Sequence, residues 1–155
     1  MLERNEKMNN MDFNLERFKS AQQYDYGIAL REIRNGRKTS HWMWYIFPQA
    51  KGLGHSRMAE YYGISSIEEA GAYLADRELG PRLLEISEAL MKLEEKDAVK
   101  IFGFPDVLKL CSCMTLFAAV TGENSVFQRV LDAYYHGRKD DRTLEILSMW
   151  AGGRS

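Results

Sequence analysis

The stretch Ser40-His41-Trp42-Met43-Trp44-Tyr45-Ile46-Phe47-Pro48 decides how the chain is read, because it is apolar on every side and its periodicity fits a buried helix or a buried strand equally. Two observations select the helix. Ser40 is a good N-cap, since a serine hydroxyl oxygen accepts from an amide of the first turn. No other segment reads as a strand that this one would pair with, and a buried strand without a neighbour leaves its backbone groups unsatisfied. Taken as a helix ended by Pro48, the segment makes the chain all-α.

The flanking sequence agrees. Upstream, Leu15, Phe18, Gln22, Tyr26, Ala29 and Ile33 recur at three- and four-residue steps, the spacing of one helix face, and Gly36 follows where a C-terminal cap belongs. Gln22 sits inside that apolar stripe and is expected to satisfy a neighbouring backbone group rather than a ligand. Residues 1–12 are polar, carry methionines at 1, 8 and 11 and show no sustained period; they are read as a flexible tail ahead of one globular domain over 13–151. Downstream, 49–55 reads as a loop and Ser56 as the cap of a short helix that stops at Gly63. Ser66-Ile67-Glu68-Glu69 has the capping-box spacing and opens a helix to about Arg77. Gly80-Pro81 starts another, with Leu83, Ile86, Leu90 and Leu93 as its buried stripe. Pro105-Asp106 opens a nearly wholly apolar stretch to Thr121, a central helix in which Asp106 reads as a cap. Val126, Phe127, Val130, Leu131 and Tyr134 give the next helix, closed by Gly137, and Asp140-Asp141 suits the start of a last one ending near Trp150. The expectation is a single all-α domain of about seven irregularly packed helices.

Composition bounds the function. A chain of 155 residues with 45% apolar and 28% charged side chains is ordinary globular material. Its 21 basic residues nearly balance 22 acidic ones, and a net charge of −1 gives no broad attraction for nucleic acid or anionic membrane, so neither is an expected partner. No window approaches the ~20 apolar residues of a spanning helix. The start, Met1-Leu2-Glu3-Arg4-Asn5, lacks the apolar core of a secretory signal, and the expected location is the cytoplasm. Cys111 and Cys113 on one helix would point about 200° apart, too divergent for a mutual disulfide or a shared metal. His41, His55 and His136 fall at no metal-ligand spacing, and no metal is expected.

Three ordered segments carry a family resemblance: residues 36–49 (Gly-Arg-Lys-Thr-Ser-His-Trp-Met-Trp-Tyr-Ile-Phe-Pro-Gln), 52–56 (Gly-Leu-Gly-His-Ser), and 101–106 (Ile-Phe-Gly-Phe-Pro-Asp) followed by Lys109-Leu110 and Thr115-Leu116-Phe117. From about Leu15 to Leu147 the chain resembles a family of small, mainly bacterial proteins known as a domain of unknown function, whose members often carry the label calpastatin. The resemblance implies an all-α fold of irregularly packed helices, with no established reaction and no catalytic residues to carry over. An inhibitor of the calpastatin kind works through disordered segments that fold on binding, whereas this chain has the composition of a full hydrophobic core.

Residues 38–56 gather aromatic, basic and glycine residues in one short span. On a helix His41 would share a face with Tyr45 near Trp44, and an imidazole walled by aromatic rings binds flat ligands or moves a proton. In Lys51-Gly52-Leu53-Gly54-His55-Ser56 two glycines let the backbone approach a ligand, and free amides at a helix start attract anions; the spacing matches neither the dinucleotide nor the nucleoside-triphosphate loop. Arg31, Arg34, Arg37 and Lys38 gather at the end of the first helix, where the dipole favours cations whatever the function. The line Lys109, Ser112, Thr115 reads first as the solvent edge of a central helix and second as the wall of a cleft. The leading expectation is a small-molecule site for an anionic, nucleotide-like ligand built from Lys38, His41, Trp44, Gln49, Gly52, Gly54, His55, Ser56 and Lys109, with no cofactor named. Alanine at Lys38 or His55 should then abolish binding and leave stability nearly unchanged. The competing expectation is a protein-interaction module without a pocket, using a helical face with Tyr61, Tyr62, Tyr134 or Tyr135. A closed pocket lined by the two tryptophans favours the first, and a flat apolar patch the second.

Overall fold

The computed structural model describes residues 13–152; the tail expected over 1–12 lies outside the described residues. Among these there are nine helices and no strand: α1 (Glu16–Arg34), α2 (Met43–Ile46), α3 (Arg57–Tyr61), α4 (Ile67–Ala75), α5 (Leu79–Lys92), α6 (Ala98–Phe102), α7 (Asp106–Thr121), α8 (Val126–Tyr135) and α9 (Asp141–Gly152). The long helices are those whose apolar spacing announced them. Phe18, Gln22, Ala29 and Ile33 form the buried face of α1, and Leu83, Ile86 and Leu90 are buried on α5. The apolar α7 is central, packed by α4, α6, α8 and α9, while α5 packs on α1, α4 and α8. Aromatic rings link these layers: Phe18 meets Tyr73 edge-on at 5.1 Å, Tyr73 meets Phe117 at 5.5 Å, and Phe117 meets Phe127 at 5.7 Å. Gln22 behaves as its position in the stripe requires, donating to the Tyr45 carbonyl at 2.8 Å and the Tyr73 hydroxyl at 2.9 Å.

The deciding segment is helical, but only for one turn, and Ser40 is not its cap. The N-cap position of α2 is Trp42, with no side-chain capping bond. Ser40 is drawn away by Glu32 of α1, whose carboxylate accepts from the Thr39 amide (2.7 Å), the Ser40 amide (3.0 Å), the Ser40 hydroxyl and the Trp42 indole (3.0 Å). A charged acceptor with four donors outweighs one neutral cap on a four-residue helix. Partial burial works to raise the Glu32 carboxyl, but the bonds from the Ser40 hydroxyl, the Thr39 amide, the Trp42 indole and the Ser40 amide outweigh it and hold the group down to about 2. A depressed carboxyl contributes stability above its unfolded value of 4.5 and loses it as pH falls through its folded value. Between pH 4.5 and 2 the protein should therefore lose roughly 1–2 kcal/mol through this group after allowance for solvent screening. Urea unfolding of Glu32→Gln over that range should lack this component.

Two loop features set up the site. A single parallel bridge joins Ala50 to Ile64. In it the Lys51 amide donates to the Ile64 carbonyl at 2.8 Å and the Ile64 amide to the Gln49 carbonyl at 2.9 Å, which fixes the loop over 49–55. At the far end of the chain the Asp140 amide donates to Thr115 Oγ1 at 2.9 Å, and the Asp140 carboxylate accepts from the Thr143 amide at 2.9 Å, so α9 starts against the middle of α7. The short α6 had no expectation in the sequence. Its Asp97 side chain accepts from the Val99 amide, and Gly103, at φ +72°, ends it in a conformation that favours glycine.

Candidate ligand-binding cleft

Between the 49–56 loop, the first half of α7 and the start of α9 lies an open cleft of about 440 Å³, within the range of small-molecule sites. Trp44, Gln49, Leu53, Gly54, His55 and Ser56 line one side. Pro105, Leu108, Lys109 and Ser112 line the other, at the three- and four-residue steps of one helix face. Asp140 and Arg142, at the start of α9, complete the lining. The lining includes the apolar Trp44, Leu53, Pro105 and Leu108, the cationic Lys109 and Arg142, the acidic Asp140, and His55.

Of the nine residues expected from the sequence, Trp44, Gln49, Gly54, His55, Ser56 and Lys109 meet in this cleft; Lys38, His41 and Gly52 do not. Lys38 is buried behind it, its Nζ 2.7 Å from Asp106 Oδ2, donating to the Ser40 carbonyl at 2.5 Å and lying 5.0 Å from the Trp42 ring centroid. Alanine at Lys38 would remove one of the two cations that Asp106 binds and leave Lys109 as its partner. His41 is exposed, and its contribution is its carbonyl, which accepts from the Tyr45 hydroxyl at 3.4 Å. His41 precedes the one-turn helix, which runs Met43–Ile46. Gly52 turns the chain at φ +107° and offers its carbonyl to Arg142 at 3.4 Å.

The amide-rich helix start expected at 54–56 is spent on itself: Ser56 Oγ accepts from the Ala59 amide at 3.1 Å, and α3 is five residues long. The cations that line the cleft are the side chains of Lys109 and Arg142, with Asp140 as the acidic lining residue. Lys109 Nζ sits 3.6 Å from the Trp44 ring centroid and 3.3 Å from Asp106 Oδ1. Asp106 is correspondingly not a cap; its carboxylate joins Lys38 to Lys109. Ser112 and Thr115 are buried, so their line with Lys109 is no solvent edge: Lys109 and Ser112 wall the cleft, and Thr115 anchors α9. The Ser112 hydroxyl donates to the Leu108 carbonyl at 3.1 Å and Asp140 is engaged by Thr143, which leaves the side chains of Gln49 and His55 as polar groups without a hydrogen bond among the described residues. Sequence reasoning missed Asp140 and Arg142, which reach the cleft only through the docking of α9; the spacing of Pro105 and Leu108 with Lys109 was a readable signal.

Three of the four tyrosines of the competing expectation are packed into the fold. Tyr134 is buried and donates to the Leu90 carbonyl at 2.6 Å, Tyr135 donates to the Val107 carbonyl at 2.6 Å, and Tyr62 is half-buried against Phe18 and Tyr45. Tyr61 alone of the four is exposed. Trp42 does not line the cleft either; it is 1% exposed and packs on Phe47. No helix among the described residues is long and apolar enough to cross a membrane, and none of their His, Cys, Asp and Glu side chains gather in threes as metal ligands do.

This all-helical architecture is shared with known chains. The protein belongs to the family described as "Protein of unknown function (DUF1810)", whose model matches residues 12–147. It is similar to the conserved hypothetical protein Rv1873 from Mycobacterium tuberculosis, seen in a crystal structure, at 49% identity over 88% of this chain and 98% of that one, with a TM-score of 0.86. Neither description names an activity. No curated protein matches the chain.

Proposed function

We propose that this is a cytoplasmic small-molecule-binding protein whose ligand is an anion of nucleotide-like build, with a flat apolar part and a phosphate or carboxylate. The observation that carries this reading is the convergence of Trp44, Gln49, Gly54, His55, Ser56 and Lys109, from two separated stretches of chain, on one cleft of about 440 Å³. The apolar lining residues Trp44, Leu53, Pro105 and Leu108 suit the flat part, and the Lys109 and Arg142 cations suit the anion. Gln49 and His55 supply hydrogen-bonding groups that read the ligand's edge.

Thermal unfolding against nucleotides, sugar phosphates, amino acids and inorganic anions tests it. A ligand at 100 times its dissociation constant stabilises by about 2.7 kcal/mol, which for a chain of this length raises the midpoint by roughly 5 °C or more. One chemical class should produce that shift, and Lys109→Met and Arg142→Ser should each remove most of it. Arg142 is exposed and its one hydrogen bond among the described residues is the 3.4 Å contact to Gly52, so Arg142→Ser should unfold at the parental midpoint without ligand. A flat response to every compound defeats the reading.

A further inference from the structure

Lys38 lies outside the cleft, yet it is joined to it through one carboxylate. Lys38 Nζ is 2.7 Å from Asp106 Oδ2, and Lys109 Nζ is 3.3 Å from Asp106 Oδ1. The two ammonium groups thus share a single acid, and the trio keeps one net positive charge. It is held in place on both sides, with Lys38 over Trp42 and Lys109 over Trp44 at 3.6 Å. All three side chains are largely withdrawn from water, at 8%, 17% and 18% exposure for Lys38, Asp106 and Lys109. Screening at such positions is weaker than on an open surface. Were Asp106 paired with Lys109 alone, the pair would be neutral and the cleft would lose its inner cation.

We infer that Lys38 is a positioning residue which neutralises Asp106 from behind and so leaves the Lys109 charge available, against Trp44, to an anionic ligand. The inference rests on the anion-binding reading for its purpose, but the charge balance is measurable with no ligand. Trp44 is the reporter. In a Trp150→Phe background the remaining tryptophans are Trp44, half-buried at the cleft, and Trp42, at 1% exposure.

Collisional quenching by iodide, relative to neutral acrylamide at constant ionic strength, reads the charge beside Trp44. A unit charge removed at this range changes the local anion concentration by about twofold. Lys38→Met should therefore lower the iodide to acrylamide ratio about twofold, Asp106→Asn should raise it by a similar factor, and the Lys38→Met/Asp106→Asn double variant should return it to the parental value. Lys38→Arg, which keeps the charge, should leave it unchanged and guards against loss of packing. Circular dichroism and the unfolding midpoint identify any variant that has failed to fold, and the double variant then carries the comparison. Opposite shifts with restoration in the double variant support the inference, even where no compound raises the unfolding midpoint, a case in which the proposed function alone fails. Equal ratios in all variants, or a fall in both single variants that the double variant does not reverse, overturn it.

Discussion

Replacing Arg17 by alanine is expected to cost about 3–5 kcal/mol of stability, because it breaks a buried ion pair from one side. The guanidinium of Arg17 binds Glu69 at 2.8 Å, with side-chain exposures of 8% and 2%. It also donates to the carbonyls of Phe13 (2.6 Å), Asn14 (2.9 Å), Tyr61 (2.7 Å) and Gly63 (3.1 Å), and stacks over Phe18 at 4.3 Å. One side chain thus joins the start of α1 to the end of α3 and the start of α4. After its removal Glu69 still accepts from the Ser65 amide and hydroxyl at 2.8 Å, but its charge is buried without a counterion. Lysine should restore little, since a single ammonium lacks the planar fork that reaches five acceptors. The Arg17→Met/Glu69→Met double variant should recover a large part of the loss, because it removes the stranded charge as well. Urea midpoints of the four proteins measure this; a double variant no more stable than Arg17→Ala would contradict it.

Gly80→Ala is expected to destabilise by about 3 kcal/mol or more, the opposite of the gain usually seen when a helical glycine becomes alanine. Gly80 lies in the first turn of α5, and a Cβ there would sit 2.0 Å from the Leu74 carbonyl oxygen and 2.9 Å from its carbon. Backbone has no rotamer to retreat into, so α4 and α5 must move apart. Gly71 on α4 makes the control: a Cβ there meets nothing within 4 Å, and Gly71→Ala should stabilise by about 0.5–1 kcal/mol. Calorimetric midpoints that move in the same direction for the two variants would sink the argument.

These two sites also mark where sequence reasoning reaches its limit. The faces of α1, α5 and α8 were legible because apolar side chains at helical spacing bury themselves whatever the partner. The caps at Ser56 and Ser66 were legible because capping is local: the donors to these serines, the amides of Ala59 and Glu69, are three residues on. Ser40 defeated the same rule, since its partner Glu32 belongs to another helix and a local pattern carries no trace of it. The second half of the capping box is shifted by one residue: Glu69 Oε1 accepts from the Ser65 amide rather than the Ser66 amide, and its Oε2 takes Arg17 across 52 residues.

In the cleft, the loop residues and Lys109 were legible as chemistry, while their convergence depends on how α7 lies beside the 49–56 loop. Lys38 was singled out for its charge and belongs behind the site, because an ammonium near an available carboxylate pairs before it faces solvent. Arg142 was invisible: it arrives through the contact of Asp140 with Thr115, 25 residues away in sequence.

The most direct test of the proposed anion binding is an amide and indole NMR titration of the isotopically labelled protein with AMP. The account predicts saturable shifts at the Trp44 indole and at the amides of Gln49, Gly54, His55, Ser56 and Lys109, all reduced in Lys109→Met. The absence of any shift, or shifts gathered at a distant exposed surface such as that around Tyr24, would contradict it.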